Sequence, residues 1–84
     1  MKNISTKNEG FKKFGGKIRE KRILLGMTIE ELAEKANRSD REVRAIERGK
    51  VEPLLGTALL LCYACEIEIG ELKEFIPQEE PAYA

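Results

Sequence analysis

Residues 28–49 read TIEELAEKANRSDREVRAIERG, and this stretch spells two short helices and the turn between them. Thr28-Ile29-Glu30-Glu31 is a capping box: a hydroxyl residue to accept from a first-turn N–H, with a Glu three positions on to accept the return bond. Ile29, Leu32, Ala33 and Ala36 then supply apolar positions at helical spacing. Asn37, which tolerates the left-handed region better than other non-glycine residues, ends the helix. Ser39-Asp40-Arg41-Glu42 is a second capping box, Val43 and Ile46 give the inward stripe, and Gly49 closes the helix.

Working outward, Phe11, Phe14, Ile18, Arg22 and Leu25 fall on one stripe of a preceding helix, with Gly26 suited to its left-handed end. Downstream, Pro53 suits the first turn of a helix over Leu54–Cys65 that is apolar almost all round. A turn near Glu66–Gly70 leads to a short fifth segment, Glu71–Phe75, stopped by Pro77. The expected fold is all-α: a compact five-helix domain over residues 11–76, between a flexible lead (1–10) and a flexible tail (77–84).

Eighty-four residues hold one hydrophobic core, and a domain of that size gains from pairing with a second copy. No apolar run reaches the length of a membrane span, and Met1–Gly10 lacks the apolar stretch of a signal peptide. A cytoplasmic location with reduced thiols is therefore expected. The formal net charge of zero hides an asymmetry. Residues 1–50 carry fourteen Lys and Arg against eight Asp and Glu, whereas residues 51–84 carry one against seven. A basic N-terminal part beside an acidic C-terminal part points to a polyanion on one side of the molecule only.

Two helices joined by about three residues, with a left-handed residue at the joint, have the spacing of a helix-turn-helix. The resemblance extends further. Gly15, Ile18, Arg22 and Gly26, then Thr28, Glu31, Leu32 and Ala33, then Ser39, Val43, Ile46, Glu47 and Gly49, then Pro53, Leu55, Leu59, Ile67, Ile69 and Leu72 stand in order and without insertion. From about Phe14 to Leu72 the chain resembles the XRE family of phage-repressor-like DNA-binding domains. The resemblance implies a two-fold dimer on a pseudo-palindromic duplex operator, acting as a transcriptional regulator, most simply a repressor. It also implies a structural pairing of Arg22 with Glu47. That pairing is physically sensible, because a charge on an otherwise apolar stripe needs a partner if it is buried.

In this fold the residues just past the third helix's cap face the major groove. Here these are Asp40, Arg41, Glu42, Arg44 and Ala45. Arg41 and Arg44 lie three apart on one helix face, and Arg is the best reader of guanine O6 and N7. They lead the expected base contacts, with Asp40 and Ala45 beside them. Thr28, Arg38, Ser39, Arg48 and Lys50 are the expected backbone contacts.

The chain also departs from the family's pattern. Ile29 stands where Gln usually contacts a phosphate, and Arg38 stands where an aliphatic side chain packs inward, so it is expected to swing outward toward a phosphate. Asp40 and Glu42 bring negative charge to the groove-facing end. Leu60 and Tyr63 replace residues that are usually polar; with Leu54 and Leu61 they form a candidate patch for a homodimer or another protein partner. These departures favour an alternative: a protein-interaction module, antirepressor or antitoxin-like, that keeps the fold. Cys62 and Cys65 form a Cys-x-x-Cys, but the chain has no histidine and no second cysteine pair. A closed zinc site needs four ligands, so the cysteines read as buried packing and no metal or cofactor is expected. Without a nucleophile–base set, the chain does not read as an enzyme.

Overall fold

The computed structural model describes residues 5–76, with side chains from residue 10 onward. Helix α1 spans Ser5–Leu24, α2 Ile29–Ala36, α3 Asp40–Glu47 and α4 Leu55–Ala64, and a 3-10 run over Ile69–Phe75 closes the fold. There is no strand among the described residues. The first helix begins at Ser5, six residues before the apolar stripe that reveals it. A stripe marks only the part of a helix that packs, and nothing in Ser5–Glu9 forbids helical continuation. Residues 5–10 are therefore helical where a flexible lead was expected; the rest of that lead and the 77–84 tail lie outside the described residues.

Both central caps form as local chemistry dictates. Thr28 N–H donates to Glu31 Oε1 at 2.8 Å, and Glu31 N–H donates to Thr28 Oγ1 at 3.1 Å. Asn37 takes φ 56°, ψ 48° and ends α2. The second box is half formed: Glu42 N–H donates to Ser39 Oγ at 3.1 Å, but the Glu42 carboxylate turns to α4 instead of back to the cap. Pro53 lies before the α4 N-cap, Leu54, and so outside the first turn. Leu54, which follows Pro53, is extended at φ −66°, ψ 156°.

Ile18, Leu32, Val43, Ile46, Leu61 and Cys65 are fully buried and bring α1 to α4 around one core. Helix α1 approaches α3 so closely that a Cβ at Gly15 would overlap the Ile46 carbonyl, so the crossing requires glycine there. Gly49, at φ 70°, ends α3 and brings the backbone against the Lys12 side chain. The 3-10 run is tied back to α1 by an edge-to-face pair of Phe14 and Phe75, with ring centroids 5.9 Å apart. Lys17 Nζ reinforces that contact, 2.9 Å from Glu71 Oε1. No helix among the described residues is long and apolar enough to cross a membrane.

Candidate nucleic-acid interface

The spacing of α2 and α3 presents one side of α3 to solvent while Val43, Ile46 and Glu47 face the interior. On the outer side Ser39, Asp40 and Arg41 are exposed, and Arg44 and Ala45 are half-buried. Arg41, Arg44 and Arg48 recur at helical spacing along this side, with exposed Lys50 just beyond Gly49. Thr28 and Ser39 are both exposed at the helix caps, with their hydroxyl oxygens already accepting cap N–H groups.

Arg22 and Glu47 hold this surface in place. Arg22 Nε–H donates to Glu47 Oε2 at 2.7 Å, and Nη2–H donates to Oε1 at 3.0 Å, a two-pronged pair. A third donor, Nη1–H, reaches the Met27 carbonyl at 2.9 Å. One guanidinium thus ties α1, the loop before α2 and the end of α3 together. The hydrogen bond to Glu47 pushes the Arg22 pKa up, against the opposing effect of burial, so the cation persists at every ordinary pH.

Two of the surface arginines are engaged inside the chain. Arg44 Nη2 lies 3.6 Å from Glu30 Oε2 on the first turn of α2. Arg38 does not swing outward: its Nε–H donates to Thr57 Oγ1 at 2.9 Å, and its Nη1–H donates to the Asn37 carbonyl at 2.8 Å. The reason is Thr57, a buried hydroxyl on α4 that must be satisfied. Thr57 Oγ1–H in turn donates to Glu42 Oε2 over a longer 3.4 Å, with Arg38 Nε 4.0 Å from Glu42 Oε1. Glu42 is thereby drawn back from the groove-facing end toward α4. Asp40 alone of the two acids keeps an unpaired carboxylate there, among the described residues.

The apolar surface of α4 needs one correction. Leu54 and Tyr63 are 78% and 84% exposed and Leu60 is at the surface, whereas Leu61 is wholly buried in the core. A helix with no charged residue offers no polar face to show which way it turns. Exposed Leu55 and Leu59 stand where Leu61 was expected. Cys62 and Cys65 are free, buried thiols. Desolvation raises both, Cys65 to about 11, which leaves them protonated packing groups.

Sequence reading missed Thr57, Glu30 and Arg19. The first two act through contacts between separate elements. Arg19 lies one turn before Arg22 on α1 and, with Arg22, Ile29, Arg44, Glu47 and Arg48, lines a cleft of about 270 Å³.

A helix-turn-helix family model matches residues 18–72 of the chain. No curated protein matches it.

Proposed function

We propose that this chain, which belongs to the XRE family of helix-turn-helix proteins, a family of DNA-binding regulators, is a sequence-specific duplex-DNA-binding repressor that works as a homodimer in the cytoplasm. Helix α3 is the element that reads the major groove. The observation that carries this reading is the outer side of α3, where Arg41 projects to solvent with no acidic partner among the described residues, next to Arg44 and Ala45. A helix entering the groove by its N-terminal end needs such an uncommitted side chain on a capped first turn to pair with guanine. Arg41, Arg44, Asp40 and Ala45 are the residues facing base edges. Thr28, Ser39, Arg48 and Lys50 lie where backbone phosphates pass. Arg38 is bound to Thr57, so it serves the fold before it serves a phosphate. Leu54, Leu60 and Tyr63 form the face for the second copy, which would set the spacing of two half-sites on a pseudo-palindromic operator.

Two observations favour a second reading, that of a protein-interaction module. The exposed apolar residues of α4 are numerous for so small a domain, and Glu30 compensates Arg44. Fluorescence-anisotropy titrations on operator and random duplexes separate the two. The regulator reading expects Arg41→Ala to lose discrimination, by the roughly 1–3 kcal/mol of a bidentate base contact, and Lys50→Ala to weaken all duplexes alike. Equal losses for both variants on both duplexes would sink the assignment of Arg41 to base reading, and weak, salt-sensitive binding with no preference between duplexes would favour the interaction module.

A further inference from the structure

The cleft between α1 and α3 is walled by four guanidinium groups, and only two of them are compensated. Arg22 is matched by Glu47 and Arg44 by Glu30. Arg19 and Arg48, which complete the lining, have no acidic partner among the described residues. Arg19 is exposed on α1, one turn before Arg22; Arg48 is exposed at the C-cap of α3, one turn after Arg44. Ile29 closes the cleft with a half-buried apolar side chain that brings no charge and no donor.

Arg19 and Arg48 are both exposed at the cleft, so each carries a solvated cation that is open to an anion there. The pair Arg22–Glu47 pins α1 to the end of α3, the two elements that carry Arg19 and Arg48. Guanidinium groups suit a tetrahedral oxyanion, whose oxygens they can take two at a time. The cleft also borders Arg44, and therefore the same side of α3 that faces the groove. Arg48, at the cleft, follows Arg44 by one helical turn.

We propose that Arg19 and Arg48 together grip a single backbone phosphodiester of duplex DNA in this cleft, with the paired Arg22 and Arg44 as its walls. Arg19 is the new member of the interface. This assignment rests on the DNA-binding reading above.

The test is the salt dependence of duplex binding for the full chain, with Arg19→Gln, the double variant Arg19→Gln/Arg48→Gln, and Lys35→Gln as a charge-matched control on an exposed position away from the cleft. Arg19→Gln weakens binding to operator and random duplexes alike, by roughly fivefold to tenfold. The double variant lowers the slope of log affinity against log salt by about one, because both charges serve one phosphate. Lys35→Gln leaves the slope unchanged. Unchanged binding by Arg19→Gln, or a slope change of about two in the double variant, overturns the shared site while leaving the DNA-binding reading intact. A wild-type chain with no salt-sensitive affinity for duplex overturns both. Because Arg19 and Arg48 are exposed, circular dichroism of the variants should match the wild type, and competition by inorganic phosphate at millimolar concentration separates a free-anion site from one that needs the duplex. Displacement of duplex at low millimolar phosphate would assign the cleft to the free anion.

Discussion

Glu47→Ala removes the carboxylate and leaves Arg22 in a pocket where its side chain is 12% exposed, facing the space once filled by an acid that was 3% exposed. Two charge-assisted hydrogen bonds, at 2.7 and 3.0 Å, are lost together. Each is worth about 1.5–3 kcal/mol taken singly, but they share one cation and do not add. The remaining bond to the Met27 carbonyl and partial solvation of the guanidinium offset some of the loss. Breaking a buried pair by removing one partner costs about 3–5 kcal/mol, and the partial exposure of Arg22 places this case near 3 kcal/mol. A chain of this length has a total stability of roughly 4–12 kcal/mol, so the variant is expected to be marginal. The melting temperature should fall by about 12–24 °C, at about 4–8 °C per kcal/mol for a domain of this size. Urea denaturation followed by circular dichroism gives the free energy directly. The control is the double variant Arg22→Met/Glu47→Leu, which removes both charges and should recover most of the loss. A cost under about 1 kcal/mol for Glu47→Ala would refute the clamp, since that is the range of an exposed ion pair.

Two residues of α4 give opposite outcomes: Leu61→Ala should cost about 2–5 kcal/mol in urea denaturation as a core truncation, whereas Tyr63→Ser should leave folding within about 0.5 kcal/mol and weaken the proposed pairing of two copies in sedimentation equilibrium. The Glu71 carboxyl is held below its ordinary 4.5, first by the hydrogen bond from Lys17 and then by the Glu68 N–H. A carboxyl with a lowered folded pKa contributes stability above the unfolded value and loses it as pH falls through the folded one. The stability gap between wild type and Lys17→Met should therefore close between neutral pH and pH values below 4.5, and a gap that persists in acid would contradict the assignment. Burial raises both thiols, Cys65 to about 11. Alkylation near pH 8 should accordingly track global unfolding, and rapid labelling of the native chain would show that the thiols are not enclosed.

The parts of this fold that were legible in the sequence are those set by local chemistry. Thr28, Asn37, Ser39 and Gly49 announce the ends of α2 and α3 because caps and left-handed turns depend on a few adjacent residues. Arg22 was conspicuous because it interrupts an apolar stripe. The beginning of α1 was not legible, since a helix that extends past its packing partners leaves no periodic trace. Leu60 and Leu61 could not be told apart, because α4 has no polar face to orient it. The long-range polar contacts were hidden for a different reason. Arg38 with Thr57, and Arg44 with Glu30, join elements that come together only through packing. Both bear on the candidate site: they turn two expected DNA contacts into residues already engaged within the chain, and leave Arg41, Arg19 and Arg48 without acidic partners among the described residues.

Selection from a random duplex library at near-physiological salt, run in parallel with the wild-type chain and Arg41→Ala, bears most directly on the account. Recovery of one enriched palindromic site by the wild type, and its loss by Arg41→Ala with random-duplex affinity retained, is the predicted result for a dimer that reads the groove through α3. Enrichment that is the same for both chains, or no enrichment by either, would contradict it.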